Sequence, residues 1–139
     1  MFEWKDIYKV DIAEIDKQHR KLLEIGGKLA DLLKLKDDID HYDEIVEILT
    51  ELREYTEYHF AHEEKLLEKY GYDNQSLRLH KRQHKSFVNK IIQIENQDID
   101  EKQTGIKLTM LEFIASWIEN HILKTDHEYK DFFHENGVY

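Results

Sequence analysis

The chain of 139 residues is 40% hydrophobic and 36% charged, with 30 acidic against 20 basic residues and a formal charge of −10. That length suits a single domain over 1–139 with one buried core; no apolar run approaches the roughly 20 residues that span a bilayer, and so acidic a surface repels nucleic acid. Cysteine is absent, which excludes disulfides, iron–sulfur clusters and thiolate zinc sites.

Proline is absent as well and glycine occurs five times, a composition that suits long uninterrupted helices. Residues 1–20 carry charges every few positions and lack the apolar stretch of a secretory signal, so the expected location is cytoplasmic. Phe2 to Val10 has no helical period and reads as an N-terminal arm anchored by Phe2 and Trp4. From about Asp11 to Lys36, apolar positions recur at threes and fours (Ile15, His19, Leu22, Gly26, Leu29, Leu33), which predicts the first helix. A charged break over Lys36 to Asp40 follows.

The second helix is predicted from Tyr42 to Tyr70. Its stripe runs Ile45, Leu49, Leu52, Thr56, His59, Glu63, Leu66 and Tyr70, and Gly71 supplies the left-handed residue past its end. Asp73 or Asn74 can cap a third helix whose stripe is Leu77, His80, His84, Phe87, Ile91 and Ile94. A polar segment, Asn96 to Gln103, leads to a fourth with Ile106, Met110, Phe113, Trp117 and His121. A short last helix over Asp126–Glu135 would pack through Tyr129, Phe132 and Phe133. The fold class is therefore all-α: an up-down-up-down four-helix bundle with an arm and a short C-terminal helix.

Histidine is unusually frequent, at nine residues, and its placement carries the chemistry. His19, His59, Glu63, His80, His84 and His121 all fall on stripes that periodicity assigns to the core. Each unpaired buried polar group costs roughly 1–3 kcal/mol, so a set of six needs a collective partner. Bound metal is such a partner. His59 and Glu63 are four apart, as are His80 and His84, which stacks each pair on one helix face. His121 and Asp126 are five apart, about 140° on a regular α-helix. Asp126 can join the set only if the helix ends, bulges or reorients near Lys124. Seven imidazole and carboxylate donors exceed one tetrahedral zinc; they suit two ions with bridging carboxylates, and favour iron or manganese. His41, His127 and His134 lie in polar contexts and are expected to face solvent. His62, beside the pair, is less suited than His59 because it is off the inward phase.

The segments Ile15-Asp16-Lys17-Gln18-His19-Arg20-Lys21-Leu22 and His59-Phe60-Ala61-His62-Glu63-Glu64, the pair His80 and His84 after Tyr70-Gly71-Tyr72, and Trp117 before His121 and Asp126 together resemble the hemerythrin family. The arm Phe2-Glu3-Trp4 and the stretch Val10 to Ile15 resemble its bacterial members. Asp73 departs from the family, where bacterial relatives often have proline. The resemblance covers essentially the whole chain. It implies that His80, His84 and His121 hold one iron, that His19 and His59 hold a second with an open position, and that Glu63, Asp126 and an oxo or hydroxo group bridge them. Dioxygen would bind reversibly at the open iron, inside a dry pocket lined by Leu22, Leu23, Phe60, Trp117, Ile118 and Ile122.

The function so implied is non-enzymatic: oxygen carriage, storage, delivery or sensing. A di-iron enzyme that reduces peroxide or nitric oxide is the alternative. Ferritin-like di-iron enzymes carry about four carboxylates and two histidines, whereas this set has two and five. Iron handling fits less well, since seven buried ligands make a closed cage. A protein partner for oxygen delivery or electron supply is left unidentified.

Overall fold

A computed structural model describes residues 1–35, 41–96 and 104–139, with the backbone alone for 104–108. The charged break over 36–40, the polar segment over 97–103 and the side chain of Ile106 lie outside the described residues. Four long helices form the bundle: α1 (Ala13–Leu33), α2 (Tyr42–Lys69), α3 (Asn74–Glu95) and α4 (Thr104–Asn120). α1 packs on α2 and α4, and α2 packs on α3. No strand occurs among the described residues, and no helix is long and apolar enough to cross a membrane.

Local chemistry sets the helix ends. Asp73 caps α3, its Oδ2 accepting from the Ser76 N–H at 2.9 Å. Past α2, Gly71 has φ 76°, and the Tyr72 N–H reaches back to the Leu67 carbonyl at 3.0 Å. That reversal needs a residue without a Cβ penalty at positive φ. The arm carries a 3-10 turn at Asp6–Tyr8. Phe2 and Trp4 are half-buried against the core, and the Arg20 guanidinium sits 4.6 Å from the Trp4 ring centre. A Cβ on Gly26 would come within 2.3 Å of the Phe2 ring, so this glycine is where the arm docks.

The apolar interior divides into two clusters, and α1, α2 and α3 each cross from one to the other. The larger includes Leu22, Phe60, Phe87, Ile118 and Ile122. The smaller holds Val10, Ile12, Ile15, Leu67, Leu77, Tyr129 and Phe133. Along α1 the order is Ile15, His19, Leu22; along α2 it is Phe60, Glu63, Leu67; along α3 it is Leu77, His80, His84, Phe87. The buried polar residues thus form one layer between two apolar ones.

The structure corrects several sequence expectations. After Glu63 the next inward residue of α2 is the fully buried Leu67, and Leu66 and Tyr70 are half-buried, because a 3.6-residue period favours a step of four at that point. On α4 the buried face is Met110, Leu111, Ile114 and Ile118; Phe113 and Trp117 lie at its edge. α4 stops at Asn120. A π-helical turn, His121–Asp126, and a 3-10 turn, His127–Tyr129, then lead to α5 (Lys130–Glu135). His41, His127 and His134 are half-buried instead of solvent-facing. His41 pairs with Glu44, and His134 Nε2 donates to the Asp11 carbonyl at 2.8 Å.

Candidate metal centre

All seven residues singled out by the sequence meet in the polar layer, each buried. They form two overlapping groups. One comprises Glu63, His80, His84, His121 and Asp126; the other comprises His19, His59, Glu63 and Asp126. The π-helical turn makes the overlap possible. It widens the helix by one residue per turn, which brings His121 Nε2 within 3.0 Å of Asp126 Oδ1.

The two carboxylates are shared oxygen by oxygen. Glu63 turns Oε1 toward His80 and, at 3.3 Å, His84; its Oε2 faces His59 at 3.3 Å and His19 at 3.8 Å. Asp126 places Oδ1 at 3.1 Å from His80 and 3.0 Å from His121, and Oδ2 at 3.0 Å from His19. Each carboxylate therefore spans both groups, and every histidine presents Nε2 to the centre.

The protein's own hydrogen bonds do not satisfy this centre. Although close to oppositely charged partners, His19 Nε2, His59 Nε2 and both oxygens of Asp126 make no hydrogen bond of acceptable geometry. His84 Nε2 and His121 Nε2 face each other at 3.0 Å. His121 Nδ1 lies 2.8 Å from the acceptor Gln83 Oε1, so its proton belongs on Nδ1 and a lone pair points at His84. Without metal a proton on His84 Nε2 bridges the two nitrogens; a cation there would instead take both lone pairs, and mixed imidazole and carboxylate donors fit a transition metal.

Electrostatics agree. Burial opposes the charge on Glu63, but the four facing imidazoles outweigh it and hold the carboxyl well below its usual range. Asp126 is likewise held well below, despite its burial and the charge of Glu63, by His121 and His19. Burial disfavours the charged forms of His19 and His80, yet Asp126 and Glu63 raise them to about 9 and about 10. Burial prevails at His59 and His121, which are shifted down. Without metal, protons on His19 and His80 thus balance the two carboxylates.

Sequence reasoning missed the residues that orient the ligands. Gln18 donates from Nε2 to Glu14 at 3.2 Å and accepts at Oε1 from His59 Nδ1 at 2.6 Å. Gln83 accepts from His121 Nδ1 and from the Thr125 hydroxyl at 2.7 Å. The Tyr129 hydroxyl donates to Glu63 Oε2 at 3.1 Å. A signal existed: a glutamine directly precedes a ligand histidine in both Gln18-His19 and Gln83-His84. Each amide reaches a ring on a neighbouring helix and fixes Nδ1 as the protonated nitrogen, leaving Nε2 free for metal.

Of the residues expected to line an oxygen pocket, Leu22, Leu23, Phe60, Ile118 and Ile122 are buried. Phe60 stacks on His84 with ring centres 3.8 Å apart and lies 5.6 Å from His59. Trp117 differs, being half-buried; it stacks on His121 at 4.5 Å and lines a surface cleft of about 370 Å³. His62 joins neither ligand group among the described residues.

Residues 10–133 match the family model described as the hemerythrin HHE cation binding domain. A bacteriohemerythrin of Clostridium acetobutylicum is 44% identical over 131 residues, covering 94% of this chain and all of that protein. Bacteriohemerythrins of Pseudomonas aeruginosa and Stenotrophomonas maltophilia are 33% and 30% identical over 92% of this chain and 78% of each relative.

Proposed function

The chain belongs to the hemerythrin family, a cation-binding domain, and from that premise we propose that it binds dioxygen reversibly at a pair of iron ions. The division of both carboxylates between the two histidine groups carries this reading. His80, His84 and His121 would hold one ion, and His19 and His59 the other. Glu63 and Asp126 would bridge them. With three histidines in one group and two in the other, the second ion would have room for a ligand. Bound as a ferrous pair, the ions would supply two electrons that dioxygen takes up on binding and returns on release.

The chain's own residues favour reversal over turnover. Five neutral imidazoles against two carboxylates stabilise the lower iron charge. Phe60, Leu22, Leu23, Ile118 and Ile122 keep water from the centre. Gln18 and Gln83 hold protons on the far side of the rings, away from the ligand. On this reading the protein is a binding protein and not an enzyme.

The test is anaerobic loading with ferrous iron, a metal count, and visible spectra through cycles of oxygen addition and purging. Two irons per chain and a charge-transfer band that appears and fades with oxygen are the expected result. Prompt, irreversible oxidation would point instead to reduction of peroxide or nitric oxide. A chain that cannot hold two ions would overturn the reading.

A further inference from the structure

We propose that the outward face of α3 is a docking surface for an acidic one-electron carrier protein that re-reduces the metal centre. This rests on the di-iron reading and adds to it a partner and a point of entry. In a chain of charge −10, α3 carries Arg78, Lys81, Arg82, Lys85 and Lys90 against one acid, Glu95, at its far end. Arg78, Arg82 and Lys85 follow steps of four and three, so they share one exposed stripe. None of the three has an ion-pair partner among the described residues; Lys81 pairs with Glu68. Like charges one turn apart destabilise a helix, so the stripe costs the fold something and returns nothing to it. Leu79 and Ile92, 49% and 38% exposed on the same helix, add apolar contact area.

The location gives the stripe its purpose. The opposite face of α3 carries His80 and His84, so a carrier resting on Arg82 is separated from the metal layer by about one helix diameter, ~10 Å. Beside the stripe, the cleft lined by Gln83, Trp117, Lys124 and Thr125 leads to His121. The ring of Trp117, parallel to that of His121 within 10°, forms its wall. Lys124 extends the positive rim. An acidic carrier matches this face and is repelled by the rest of the surface, which fixes its orientation. Nucleic acid fits less well, because only this one helix face would attract it. The electron balance is simple: each visit converts one ferric ion to ferrous and oxidises the carrier by one electron, and two visits restore the pair.

The experiment uses the iron-loaded protein and an acidic [2Fe–2S] ferredoxin as the probe. Affinity is measured by calorimetry at low and high salt, and reduction of the diferric form is followed in parallel. Wild type should bind, with affinity falling as salt rises. The triple variant Arg78→Glu, Arg82→Glu, Lys85→Glu should bind about tenfold or more weakly and be reduced by ferredoxin correspondingly more slowly. Its iron content and its reduction by a small uncharged reductant should be unchanged. Reversal of Lys17 and Lys21, on α1, should alter binding less than about twofold. Equal affinity for wild type and triple variant overturns the proposal, as does duplex DNA binding to α3 more tightly than ferredoxin. Binding is read independently of oxygen chemistry, so loss of the di-iron reading and loss of this surface would be told apart.

Discussion

Metal loading of the empty centre should expel protons, in a number set by the cluster's charge states. A metal needs a lone pair on every Nε2. His19 and His80, raised to about 9 and about 10, are protonated at pH 7 and must each lose a proton. His84 is also shifted upward, by Glu63 and Glu64 against its burial. His59 and His121, shifted downward, contribute none. At least two protons per chain should therefore appear on loading at pH 7. Apparent affinity should rise about a hundredfold per pH unit between 7 and 9, about tenfold per unit between 9 and 10, and level off above. Stability of the empty chain carries the opposite sign. A histidine raised by folding contributes fully below about 6.5, and the contribution is lost as pH rises through 9 and 10. The carboxylates, held low, contribute above about 4 and lose their contribution in acid. Zinc titration in weak buffer with a pH indicator counts the protons, and chelator competition at pH 7, 8 and 9 gives the slope once the chelator's own protonation is removed. Release of fewer than one proton per chain, or a flat affinity over that range, would refute the charge assignment.

Three further outcomes follow from the geometry. Gln18→Leu and Gln83→Leu should each weaken metal binding by about 10- to 100-fold with unchanged helical circular dichroism, the first acting through His59 and the second through His121; unchanged affinity would remove their orienting role. Gly27→Ala, where nothing lies within 4 Å of the new Cβ, should stabilise α1 by about 0.5–1 kcal/mol, whereas Gly26→Ala must displace the Phe2 ring and should be less stable than Gly27→Ala by about 1–3 kcal/mol; urea unfolding of both variants decides. Asp73→Ala should lower the urea midpoint through loss of the α3 cap, with metal stoichiometry unaffected.

The bundle and its buried polar layer were readable in the sequence because both depend on helical phase. Polar residues at His19, Glu63 or His84 stand out against apolar neighbours one turn away. The five-residue step from His121 to Asp126 announced an irregular helix, and the π-helical turn is that irregularity. What stayed hidden depends on contacts between helices. Gln18 and Gln83 look like surface amides until the helices they face are known. Tyr129 reads as packing, and only its position over Glu63 reveals the hydroxyl as a donor. Leu66 and Leu67 are equally apolar, so composition could not choose between them. The shift of α4's buried face from Phe113 and Trp117 toward Ile114 and Ile118 depends on how α4 sits against α1 and α3, which no stripe records.

The stacking of Trp117 on His121 has an optical consequence. The chain contains two tryptophans, and Trp4 lies in the arm beneath Arg20. An indole parallel to a ligand imidazole at 4.5 Å is close enough for a bound transition ion to quench its emission. Replacing Trp4 with phenylalanine would leave a single tryptophan at the wall of the centre, excitable apart from the eight tyrosines at wavelengths too long for them to absorb. Its brightness would then report, without any added dye, how full the three-histidine position is at each stage of loading.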